Sequence, residues 1–180
     1  MQFIKRNMKQ KSEVIFDRNV VDFVTVAAEY CLFLEESQTK TQDEFVDTVL
    51  KILPLLYVKA SLLPEVTSLS FEDPEMSVTE EVYEQMKSTL EKVLGDGDDY
   101  LDVFVEDMKY SDTPIRKCIS EDLADIYQDL KNFIFVFKLG VNETMNDSLA
   151  LCQEHFKEYW GQVLVNTMRA LHQIKYNSIE

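Results

Sequence analysis

Thirty-three acidic residues against 18 basic ones give this 180-residue chain a formal charge of -15, and a polyanionic nucleic acid would be repelled by it. Four glycines and four prolines leave few sites for tight turns, which argues against a β-sandwich or barrel. The most apolar run, 49–63, contains Lys51, Pro54 and Lys59 and falls short of the ~20 residues that a membrane span requires.

A basic arm at 1–12 opens the chain, with Lys5, Arg6, Lys9 and Lys11 ahead of any acid; residues 12–180 then hold 14 bases against 33 acids. One domain over 13–177 is expected to follow. Its first helix is predicted at 13–36, with Phe16, Val20, Phe23, Val24, Ala27, Cys31 and Leu34 on one stripe. Thr41 and Glu44 have the spacing of a capping box that opens a second helix over 41–63. Apolar residues wrap most of that helix, so it is expected to be the most buried of the set. Pro54 should kink it near Ile52.

An acidic, irregular connection is predicted at 65–78. Ser77 and Glu80 read as a second capping box, and the helix they open turns Val82, Met86, Leu90 and Val93 inward and ends at Gly95. A turn at 96–99, a short helix at 100–108 and a loop at 110–118 are expected next. Ser120 is then placed as the cap of a helix whose buried face holds Leu123, Ile126, Tyr127, Leu130, Phe133, Ile134 and Phe137. Gly140 ends it, and Asn142 is placed as the cap of the final helix.

That last helix carries the clearest pattern in the chain. Met145, Leu149, Cys152, Phe156, Trp160, Val163, Thr167, Leu171 and Ile174 are spaced 4, 3, 4 in repeat. The average of about 3.67 residues per turn keeps them on one face of a nearly straight helix, roughly 48 Å long at 1.5 Å per residue. Trp160 is expected in the core. The fold class is therefore all-α: an antiparallel up-and-down four-helix-type bundle with one or two short accessory helices.

Chemistry-bearing residues are few. Asp122, Asp125 and Asp129 share one edge of the 120s helix, where carboxylates could gather a cation or a basic group. His155 and Arg169 lie beside the apolar stripe of the final helix, and antiparallel packing would bring Arg169 toward the N-terminal half of the aspartate helix. Cys152 and His155 have the spacing of half a zinc site, but the other half is absent, so no metal is expected. The turn at 96–99 lacks the ligand spacing of a calcium loop. Nor does any complete catalytic or nucleotide motif appear, and no cofactor is expected. Three cysteines without an apolar leader suggest reduced thiols in the cytoplasm.

Three segments taken in order carry a family likeness: Tyr100-Leu-Asp-Val-Phe104, then 119–131 (Ile-Ser-Glu-Asp-Leu-Ala-Asp-Ile-Tyr-Gln-Asp-Leu-Lys), then Tyr159-Trp-Gly161 with Leu164 and Arg169-Ala-Leu-His172. Together they resemble an uncharacterised family of small all-helical bacterial proteins known as a domain of unknown function. The resemblance spans about 15–175 and implies a bacterial cytosolic up-and-down bundle; it implies no activity. From the residues themselves, the expected function is a non-enzymatic interaction or regulatory module whose acidic surface meets a basic protein partner. The alternative is a small-molecule- or metal-binding bundle, conceivably an enzyme, working at the edge near Asp122, Asp125 and Asp129. The oligomeric state is left open.

Overall fold

The computed structural model describes residues 14–70, 75–102 and 113–177. The basic arm expected at 1–12 lies outside them. The helices are α1 (Arg18–Glu35), α2 (Gln42–Ser61), α3 (Glu80–Leu94), α4 (Ile119–Lys138), α5 (Asn142–His155) and α6 (Gly161–Asn177). A π-helical stretch, Phe156–Trp160, joins α5 to α6.

Side-chain contacts fix the directions. Asp22 near the start of α1 pairs with Lys59 near the end of α2 at 2.7 Å, and Phe33 stacks on Phe45 at the opposite ends, so α1 and α2 are antiparallel. Tyr30 donates to the carbonyl of Leu123 and Phe23 packs against Phe133, which sets α4 antiparallel to α1. Lys175 pairs with Asp47, and Thr167 donates to Asp122, so α6 runs antiparallel to both α2 and α4. The four corners of an all-α bundle are thus α1, α2, α4 and the α5–α6 rod. α3 lies outside the square against α4, also antiparallel, with Lys87 paired to Glu121.

Several predicted elements form for the predicted reasons. The Thr41–Glu44 capping box is complete, Gly95 ends α3 at φ 53°, and Gly140 follows α4 at φ 73°. Trp160 is fully buried, stacked on Phe23 and tilted against Phe156, and its indole N–H donates to the carbonyl of Cys152 at 3.1 Å. The 4, 3, 4 stripe holds along the rod: Met145, Leu149, Cys152, Trp160, Val163, Thr167 and Leu171 are all buried.

Other expectations are corrected. α1 starts later, at an Asp17 cap whose carboxylate accepts the Asn19 amide, and this leaves Phe16 63% exposed. α2 is not the most buried helix; α4 is, because it packs against α1, α3, α5 and α6, while α2 packs chiefly on α1 and α6 and leaves Leu55 and Val58 half exposed. Thr79, not Ser77, caps α3, and Val82 is exposed. The Ser77 amide and hydroxyl both go to Asn132 Oδ1 instead. Neither Ser120 nor Asn142 is a cap; each is already inside its helix. The rod is also not one uniform α-helix. At the π stretch the Gly161 amide bonds the Phe156 carbonyl five residues back, and a Cβ on Gly161 would collide with that oxygen.

The helix expected from residue 100 is a strand. Asp99–Asp102 pairs antiparallel with Ile115–Cys118, Asp99 opposite Cys118 and Asp102 opposite Ile115. Burial alternates along it, with Asp102 buried, Tyr100 half buried, and Asp99 and Leu101 exposed. That is the period-2 pattern of a ribbon lying on the bundle. Residues 103–112 lie outside the described set.

Polar residues of α5 hold the α2–α3 connection down. Asp147 accepts from the amides of Leu69 and Ser70 and from the Ser68 hydroxyl; Gln153 accepts the Val66 amide and donates to the Leu63 and Pro64 carbonyls; Asn146 donates to Thr67. Backbone groups in an irregular segment need such partners when they are covered. Residues 63–70 of the connection are therefore strapped onto α5.

Candidate functional site

The three aspartates sit at positions i, i+3 and i+7 of α4, on one face of the helix as their spacing requires. That face is turned toward α3, the ribbon and the α5–α6 rod. Each carboxylate is met by donors from those elements. Asp122 is buried and accepts from Tyr100 of the ribbon at 2.5 Å and from Thr167 of α6 at 3.1 Å. Asp125 accepts the phenols of Tyr83 on α3, at 2.6 Å, and of Tyr159 in the π stretch. Asp129 lies 2.7 Å from Nδ1 of His155, the last residue of α5. The stripe is thus a polar seam that ties α3, the ribbon and the α5–α6 rod to α4.

Burial sets the electrostatics. It pushes the Asp122 carboxyl up to about 6 against the opposing hydrogen bond from Tyr100 and the charge of Lys117. Asp129 is raised for the same reason, with His155 pulling the other way. The phenols of Tyr83, Tyr100 and Tyr159 are held well above their usual range, first by burial and then by the carboxylates they face. They remain neutral donors.

Arg169 lies toward the N-terminal half of α4, where one of its hydrogen bonds goes to the Leu101 carbonyl of the ribbon, at 3.3 Å. It also lines a broad, shallow groove with Leu50, Val165, Met168, His172 and Tyr176. The five predicted site residues therefore fall into two places. Asp122, Asp125, Asp129 and His155 share the seam, and Arg169 stands at its ribbon end.

Beside Asp129 and His155 is a small cavity of about 40 Å³ between α4, α5 and the α2–α3 connection. Phe133, Leu151 and Cys152 supply apolar lining, and Glu75 borders it from the connection. Cys152 is no nucleophile here: burial holds its thiol well above the ordinary value, and a thiol that stays protonated attacks poorly. Cys31 is pushed up to about 12 by burial as well. Among the described residues no group of three or more His, Cys, Asp or Glu side chains is placed to hold a metal ion, and no helix is long and apolar enough to cross a membrane.

The donor roles of Tyr83, Tyr100, Tyr159 and Thr167 toward these carboxylates are not predicted from the sequence. Thr167 left one signal, a hydroxyl inside an otherwise apolar stripe. The tyrosines come from elements whose placement on α4 no local pattern encodes.

Comparison with known proteins agrees with this architecture and adds no activity. The model of the family described as "Domain of unknown function (DUF5063)" matches residues 14–177. The chain is also similar to protein BF1032 from Bacteroides fragilis, known from a crystal structure: the two are 57% identical, the match covers 93% of this chain and 98% of that one, and the TM-score is 0.82. No curated protein matches the chain.

Proposed function

The chain belongs to the DUF5063 family, and from that premise we propose that it is a non-enzymatic cytosolic interaction module that offers an acidic face to a basic protein partner. One observation carries this reading. α3 stands outside the four-helix square and buries only Met86, Leu90 and Leu94, while Glu80, Glu81, Glu84 and Glu91 are all exposed. Exposed charges of this kind add little to folding stability, but they steer and select partners. Asp122 and Asp125 of α4, by contrast, are already occupied by phenols and the Thr167 hydroxyl, which makes them joints of the fold rather than a free acidic surface.

The test is affinity capture from a Bacteroides fragilis lysate with the wild-type protein and with a Glu80→Lys/Glu84→Lys/Glu91→Lys variant. The reading expects a basic protein that is retained by the first, lost from the second and released as salt rises. Equal recovery by both proteins would overturn it.

The alternative, a ligand-binding or catalytic site at the aspartate edge, is favoured by the cavity beside Asp129 and His155. Metal analysis of protein purified without chelator separates the two, since stoichiometric metal would reverse their order.

A further inference from the structure

We propose that the cavity beside Asp129 and His155 is a socket for the ammonium end of one lysine side chain of the basic partner. This inference rests on the interaction reading given above and names the residue that the partner must supply.

Charge, size and position support it together. Asp129 lies on the α4 wall and Glu75 in the α2–α3 connection, and no lysine or arginine lines the cavity. The Asp129 side chain is 20% exposed, so it can be reached from outside. His155 occupies one of its oxygens, Oδ1. A carboxylate has two oxygens and about four acceptor positions, so an ammonium can be added without removing the imidazole. Because burial already raises the Asp129 carboxyl, a cation arriving there relieves an existing penalty.

The space is about 40 Å³, and a single water needs about 10–15 Å³ on the same measure. That suits the nitrogen and last methylene of lysine better than the larger, planar guanidinium of arginine. Phe133, Leu151 and Cys152 offer apolar contact to the lysine stem. The socket also adjoins the acidic face of α3. Ser77 and Val78, just after Glu75, are pinned to Asn132 Oδ1 at 2.7–3.1 Å, and the exposed Glu80 and Glu81 begin α3 immediately afterwards. The socket thus lies at the N-terminal end of the helix that carries these acids.

The test is an NMR titration of the full chain with three blocked tripeptides: acetyl-Gly-Lys-Gly-amide and its norleucine and arginine counterparts. The lysine peptide is expected to move the imidazole signals of His155 and the methyl signals of Leu151, with the norleucine peptide leaving both in place and the arginine peptide binding more weakly. Asp129→Asn should weaken lysine binding about tenfold, comparable to one charge-assisted hydrogen bond. Leu151→Trp, which fills the cavity without touching a charge, should abolish it and serves as the check if Asp129→Asn does not fold. Equal shifts from lysine and norleucine peptides, or lysine binding that survives Leu151→Trp, would overturn the socket. If the socket fails while capture of a basic protein still depends on Glu80, Glu84 and Glu91, the interaction reading stands alone. If both fail, both readings fall.

Discussion

The carboxylate of Asp98 holds Ser120 by two bonds of 2.7 Å, one from the Ser120 amide and one from its hydroxyl, while the Asp98 carbonyl accepts the Ile119 amide at 2.8 Å. The first turn of α4 is therefore capped from twenty-two residues upstream, and the cap also fixes where the ribbon begins. A helix that contacts four neighbours has its start set by this one buried acid.

Asp98→Ala should cost about 1–3 kcal/mol, the range for losing a cap and leaving a buried donor unmet. Urea denaturation of the two proteins measures it. An unchanged midpoint would mean that water caps α4 equally well.

Gly161→Ala should destabilise the protein by about 1–3 kcal/mol through overpacking, because the added Cβ meets the Phe156 backbone carbonyl as well as the Phe156 ring, and the carbonyl cannot swing away. The damage should appear in the amide signals of 156–161, where the π stretch must shift. A variant as stable as the wild type would show that the π stretch admits a Cβ at Gly161 without cost.

The raised Asp122 carboxyl makes a signed prediction for pH. Its folded value of about 6 lies above the ordinary 3.8, so the folded protein binds this proton more tightly than the unfolded chain does. The stability that Asp122 contributes is complete below pH 3.8 and is lost as pH rises through about 6. Comparing wild type with Asp122→Asn cancels the other carboxylates, including Asp47, which its two lysines hold down at about 2. Between pH 7 and pH 5 the balance should move toward wild type by about 1 kcal/mol. A difference independent of pH would show that Asp122 is ionised as easily as an exposed aspartate.

Local pattern made the helices legible, and tertiary contact explains the misses. The stripe from Met145 to Ile174, the Thr41–Glu44 box and the glycines at 95 and 140 are short-range features, and each appears where its residues dictate. The ribbon depends on pairing between Asp99–Asp102 and Ile115–Cys118, which no window around either strand contains. Ser77 has the local form of a cap, yet Asn132, fifty-five residues away, takes its hydroxyl. At the site, the shared face of Asp122, Asp125 and Asp129 follows from helix geometry. Their partners Tyr83, Tyr100, Tyr159 and His155 depend on how α3, the ribbon and the rod settle on α4.

The central claim is that the exposed acids of α3 receive a basic partner, and the affinity of the captured protein measured against ionic strength tests it most directly. At 0.15 M salt the screening length is about 8 Å, so contacts made by exposed charges weaken steadily as salt is added. The account predicts that wild-type affinity falls with rising salt, and that the Glu80→Lys/Glu84→Lys/Glu91→Lys variant binds at least about tenfold more weakly at low salt, a loss of about 1.4 kcal/mol. An affinity that is the same for both proteins and indifferent to salt would contradict it.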